Sequence, residues 1–321
     1  MSSGGIFELI GVNFGSGTVG NQNFAPGAIV ELGLGTVYYG EHVQSGMALK
    51  ILSGGLDSGT AVRSGGTEIV SSGGTAIDLT VSSGGTTIVA VGGTFIVQSG
   101  ATNSGTLINS ATVDVQSGTL TLGGTTSNTG TLFADGSGTL IKIVGVVSGG
   151  TTEIGNGTVD IAGASKENVN FLSNDSGILQ LNSAATYTGK VSNFGFGTSA
   201  HNGHNEQIDL TAIAYSAGVV SETYSGSTAS GVLKVVSGAT TVATIGMTGA
   251  YVTSNFHLGS GSGGSGTVIT DPSGVIVQSA DLALFGNYIA GSFVNAAGWQ
   301  GGTVVSVTAQ GDQPLLAHPH A

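Results

Sequence analysis

A chain of 321 residues with 59 glycines, 4 prolines and no cysteine is neither collagen, which needs a strict triplet and abundant proline, nor a disulfide- or thiolate-held domain. Its 6 Lys+Arg against 18 Asp+Glu, a formal net charge of −12, cannot neutralise a run of phosphates, which excludes nucleic acid as a partner and argues against docking on anionic membrane. With 39% hydrophobic residues, there is still enough apolar material to bury a core.

The chain opens on MSSGGIFELIGVNFGSGTVG, which has no basic n-region; the first Lys or Arg is Lys50. It does not read as a standard secretory leader. No apolar run approaches the roughly 18–20 residues of a membrane helix, so no membrane span is expected. Residues 1–40 read as an N-terminal cap.

From there glycine pairs begin at Gly54, Gly65, Gly73, Gly84 and Gly92. The spacing alternates between 11 and 8, a composite period of 19. Between pairs, Ile77, Leu79 and Val81 alternate with Asp78 and Thr80, the period-two pattern of a half-buried strand, so the three apolar residues are expected to face inward. Glycine admits positive φ at a corner, and the Ser and Thr around it hydrogen-bond locally to turning backbone. The unit reads as strand, corner, strand, corner: one coil of a parallel β-solenoid, each coil burying its inward residues on the one before. The cadence continues in looser form, with VQSG at Val43–Gly46, Val97–Gly100 and Val115–Gly118 and VSGGTTEI at Val147–Ile154. The predicted fold class is all-β, with the solenoid over residues 41–163.

The SSGGT–VSSGGTTIV cadence resembles the strand-loop-strand repeats of AIDA-type autotransporter passenger domains. That resemblance implies a surface-exposed β-solenoid, often an adhesin, whose Ser and Thr residues carry sugars in some members. It covers about a third of the chain, and no C-terminal translocator barrel, with its many tilted strands and aromatic girdles, is visible.

From about Lys166 the glycine pairs fade. Residues 164–312 read as a β-rich C-terminal module, with GVLKVVSGATTVATIGM as a hairpin. An internal repeat relates 249–268 to 286–305, GAYVTSNF matching GNYIAGSF, with Tyr251/Tyr288 and Phe256/Phe293 as core anchors. EQIDLTAIAY, SNFHLGSGSGGSGTVITDP and ALFGNYIAGSFV resemble C-terminal modules of large proteobacterial surface proteins. This implies type I secretion on an uncleaved C-terminal signal, for which the tail 313–321 is the candidate.

Chemistry-bearing residues are sparse. GGTAIDLTV (Gly73–Val81) approaches the calcium-binding nonapeptide, with Asp78 in place, but one period away Gly59 and Val97 stand instead of acids. One carboxylate cannot supply six to eight oxygens, so Asp78 reads as a solvated outward residue. Asp209 and Asp271 are the calcium candidates of the second module. His201, His204 and Glu206, in HNGHNE, could ligate zinc, though their setting reads as a polar loop. No catalytic residue is assigned: GxSxG, HExxH and phosphate-loop motifs are missing, and the acids of the repeats do not follow the 19-residue period. Thr67 and Thr86 are one period apart, as are Thr75 and Thr94. Each series is expected to stop at two members and to lie in corners, so a flat Thr ladder of the kind that binds ice is not expected.

The reading is a non-enzymatic, secreted or cell-surface structural or adhesin-like protein of a Gram-negative bacterium. Its partners would be glycans, host or bacterial surfaces, or other copies of itself, and it would need no cofactor. The alternatives are a secreted polysaccharide-acting β-helix enzyme and a calcium-dependent surface-assembly protein.

Overall fold

The computed structural model describes residues 5–11, 26–163, 165–172, 176–184, 187–195, 206–261 and 265–270, and the backbone of strands Phe293–Ala297 and Thr303–Val307. The chain divides into two units, Met1–Asp271 and Pro272–Ala321. The first is a parallel β-solenoid of about nine turns. In the second, the two described strands pair antiparallel, with Phe293 opposite Val307.

One coil shows why the sequence winds this way. Thr67–Val70 lies in the first sheet (A), Thr75–Ile77 in the second (B) and Thr80–Val81 in the third (C). The corners between A and B and between C and the next A are the glycine pairs. Gly73 has φ +74°, a conformation that L side chains resist. At Gly74 a Cβ would overlap the Ile51 carbonyl of the preceding coil. The first glycine of the pair therefore supplies the turn, and the second lets successive coils approach. Corner amides continue the stack: Gly54 N–H donates to Gly73 O at 2.9 Å, and Gly73 N–H to Gly92 O at 2.7 Å.

The coil has three strands, not the two that the 11/8 spacing implies. The third corner carries no glycine pair. It is a single left-handed residue: Gly40 (φ +65°), Gly59 (φ +74°) and then Asp78 (φ +53°). This kink reverses the alternation. Ala76 is buried and Ile77 faces outward, whereas Leu79 and Val81 point into the core as expected.

Parallel pairing runs beyond the 41–163 bounds set by the glycine cadence. It begins with Ile6–Leu9 on Ile29–Leu32 and continues to Gln207–Leu210 on Ile178–Leu181. The late coils turn without glycine pairs, as at Asn193 (φ +57°), but their strands keep the inward alternation, as in Ile178–Leu181. Cadence reports corners; the solenoid is defined by strands.

Antiparallel strands then close the stack. Thr240–Thr248 joins sheet B parallel to Lys190–Ser192, and Ser230–Ser237 and Val220–Gly226 add antiparallel beyond it. The Ser230–Thr248 pair is the hairpin read from the sequence. Sheet C ends similarly in Thr267–Thr270 and His257–Ser260. Beneath them Phe171, Phe194 and Phe256 form a run of aromatic contacts, with ring centroids 5.3 and 6.4 Å apart. Tyr251 packs on Phe256 at 5.4 Å and donates its hydroxyl to Phe194 O at 3.0 Å. Tyr251 and Phe256 are core anchors here; Tyr288 and the Phe293 side chain lie outside the described residues.

Candidate functional site

The metal candidates do not assemble. His201, His204 and Asp271 lie outside the described residues. Glu206 accepts a hydrogen bond from the Gly195 backbone N–H. Asp209 sits in Gln207–Leu210 with its carboxyl pushed up by burial, against a hydrogen bond from Gln180 that lowers it. Among the described residues no three His, Asp or Glu side chains come together as metal ligands.

Asp78 faces outward and is only partly buried, but its carboxylate is not left to solvent alone. The next coil needs more chain at this corner, since Ile77 pairs with Ile96 but Thr80 with Thr102. Asp78 fastens that longer loop. It accepts from Gln98 N–H (2.7 Å), Ser99 N–H (3.1 Å), Ser99 Oγ (2.6 Å) and Gly100 N–H (3.4 Å). Partial burial raises its pKa, but these donors outweigh burial and hold the carboxyl below its ordinary range.

The threonine series also continue. Thr67 and Thr86 are followed in register by Thr106 and Thr125 on sheet A. Thr75 and Thr94 are followed by Thr112, Thr131 and Thr151 on sheet B. All lie on strands. The columns are hidden in the sequence because coil length drifts from 19, while pairing keeps the side chains aligned. β-Branched threonine suits such cross-strand stacking.

Two sets of buried acids escape a sequence reading: Asp57 and Glu68 look like the polar members of alternating strands, and Glu167 looks like a loop residue just before Asn168–Phe171. Asp57 and Glu68 are fully buried, on sheets B and A of successive coils. Thr60 Oγ1 donates to Asp57 Oδ1 at 2.7 Å. The other Asp57 oxygen and both Glu68 oxygens meet no protein donor, so a proton on one carboxyl is what joins the pair. Burial first, then the neighbouring acid, drives Glu68 well above the usual range; burial also raises Asp57. Glu167, equally buried, is pushed up to about 7 by desolvation, with the Thr152 and Ser165 hydroxyls partly offsetting it. These groups have no route to a substrate and act on stability.

The accessible polar chemistry gathers on the outer face of sheet B near its C-terminal end. A basin of about 410 Å³ is lined by Thr151, Glu153, Asn168, Asn170, Lys190, Ser192 and Thr248. These residues alternate outward on Thr151–Ile154, Asn168–Phe171, Lys190–Ser192 and Thr240–Thr248, adjacent strands of one sheet. Ser192 Oγ donates to Asn170 Oδ1 at 2.9 Å, and Asn193 Nδ2 to the same oxygen at 2.8 Å. Lys190 N–H donates to Asn168 Oδ1 at 3.1 Å. With their carbonyls held this way, the asparagines are fixed in orientation. A second basin of about 480 Å³ shares Lys190 and is lined further by Tyr187, Thr188, Thr241 and Thr244. The pair forms an open surface on which amides, hydroxyls, one cation and one acid stand among apolar groups, including Ala184, Val242 and Ala243. Such a surface can hold a polyhydroxylated ligand by hydrogen bonds.

Among solved structures, the chain is similar to the TibC-catalysed hyper-glycosylated TibA fragment, at 20% identity over 59% of this chain, with a TM-score of 0.24. The match spans 65% of that fragment, just under two thirds. The fold rests on the strand pairing described above, not on this likeness. No protein-family model matches the chain, and no curated protein matches it. Among the described residues no helix is long and apolar enough to cross a membrane.

Proposed function

We propose that this protein is a non-enzymatic, adhesin-like β-solenoid, secreted or displayed on a bacterial surface, that binds glycans through the outer face of sheet B. The AIDA-type resemblance of the repeats supports the setting. The observation that carries the binding role is the polar basin from Thr151 to Thr248, whose amides and hydroxyls project from a rigid sheet. Sugar recognition needs such fixed donors and acceptors, because each hydroxyl that loses water must regain a partner. Repetition of coils and display of many copies would turn weak contacts into useful avidity.

The test is a glycan array read twice, once for retention of the protein and once for the length of the glycan recovered. Retention with intact glycan is the expected result. Shortened products would replace this reading with the polysaccharide-acting alternative. The calcium-dependent alternative predicts a rise in melting temperature with Ca²⁺ that a chelator reverses; here no such rise is expected.

A further inference from the structure

Charge is distributed unevenly around the groove. The chain has six Lys+Arg, and two of them, Lys190 and Lys234, stand on the outward side of the last strands of sheet B. Lys190 is exposed beside the buried Val191. Lys234 is exposed between the buried Leu233 and Val235, and pairs in register with Thr244. Lys190 pairs with Gly246 on the same intervening strand, so the two cations flank Thr240–Thr248 from opposite sides. No acid shares this face on the last four strands of sheet B, Lys190–Ser192, Thr240–Thr248, Ser230–Ser237 and Val220–Gly226. Glu222 alternates in phase with the inward Val220 and Tyr224. The acid bordering the groove is Glu153, two strands from Lys190 at the far end of the smaller basin.

Neither lysine forms an ion pair among the described residues; the one ion pair there joins Lys50 to Glu31 at 3.1 Å, far along the solenoid. Lys190 borders both basins. Gly246 offers no side chain beside it, and the Lys190 stem runs over that open floor. In a chain of net charge −12, the cation Lys190 borders both basins, Lys234 stands across the intervening strand from it, and the one acid in their lining, Glu153, lies at the far end. This arrangement favours an anion carried on a hydroxyl-bearing scaffold.

Resting on the glycan-binding reading above, we propose that this groove takes an acidic glycan, a uronate-bearing oligosaccharide. Lys190 pairs with a sugar carboxylate, while Asn168, Asn170, Ser192 and Thr244 hold neighbouring hydroxyls. Lys234 adds a second, more distant attraction. Glu153 repels a carboxylate at its own end and so fixes the direction in which the chain lies.

The experiment titrates the full chain with a defined oligouronate and with the same oligosaccharide after its carboxyls are reduced to alcohols. Both are measured at low and at physiological salt. The oligouronate binds at least about tenfold tighter than its reduced form, the scale of one charge-assisted hydrogen bond, and the gap narrows as salt rises. Lys190→Gln removes most of that gap without changing the melting temperature, and Lys234→Gln removes less of it. Equal binding of both oligosaccharides, unaffected by Lys190→Gln, overturns the inference but leaves the glycan-binding function standing. Binding of neither overturns both.

Discussion

Asp78 stands where the two preceding coils place Gly40 and Gly59, and it adopts their left-handed backbone. Aspartate tolerates that conformation better than most residues, and its carboxylate then reaches the donors of Gln98–Gly100. Asp78→Asn keeps the backbone preference and loses the charge; Asp78→Ala loses both. The expected costs, discounted for the partial exposure of the site, are about 1 kcal/mol for Asn and roughly 2–3 kcal/mol for Ala, read from denaturant midpoints. A negligible cost for Asn would show that the anion contacts contribute little; equal costs would assign the whole effect to the charge. Asp78 could be singled out from its type and spacing, but not its role, since the loop it fastens lies a coil later. The buried acids are illegible for a related reason: Glu68 occupies the inward phase of a strand only once the corner positions are known. They have a pH signature. Glu167 has a folded pKa of about 7 against an ordinary 4.5, so the folded state holds its proton over a range where the unfolded state has released it. The Glu167 contribution to stability is therefore greatest in acid, falls between about pH 4.5 and 7 by on the order of 3 kcal/mol, and is level above that. Glu167→Gln flattens this part of a pH–melting curve. Glu68→Gln, which keeps a donor facing Asp57, raises stability at neutral pH.

At the scale of the coil, the 19-residue period was legible because glycine pairs mark two corners of three. The third corner escaped because one left-handed residue makes it and its strands are only two or three residues long, as in Thr80–Val81. The same shortness put Ile77 on the wrong face. The threonine columns escaped because a fixed period cannot follow coils that lengthen and shorten, whereas hydrogen-bonded pairing can. The two glycines of a pair should respond differently to substitution. Gly73→Ala meets an unfavourable φ, a cost of roughly 1–2 kcal/mol. Gly74→Ala places a methyl against the Ile51 carbonyl and must push two coils apart. It is expected to cost more than Gly73→Ala and to reduce amide-exchange protection in both coils. If Gly74→Ala is the milder change in thermal unfolding, close approach is not what that glycine provides.

For the molecule as a whole, an open stack must be closed at its ends, or its edge strands and apolar core stay available to other chains. The C-terminal closure combines antiparallel strands on sheets B and C with the aromatic run from Phe171 to Phe256. Phe256→Ala removes the ring on which Phe194, Tyr224 and Tyr251 all pack. It should cost roughly 3–5 kcal/mol, with protection lost first in the terminal coils and least near Val62 and Val70. The smaller basin lies beside that closure, on the last parallel strands of sheet B, from Thr151–Ile154 to Thr240–Thr248. The fold class was open to a sequence reading because corners and alternation repeat. The groove was not, because it is assembled from strands that lie as far apart in sequence as Thr151 and Thr248. The most direct test of a non-enzymatic, glycan-binding solenoid is to incubate the protein with an immobilised glycan array and then measure both the bound protein and the length of each glycan. Bound protein over glycans of unchanged length is the predicted result; shortened glycans, or no retention on any of them, would contradict it.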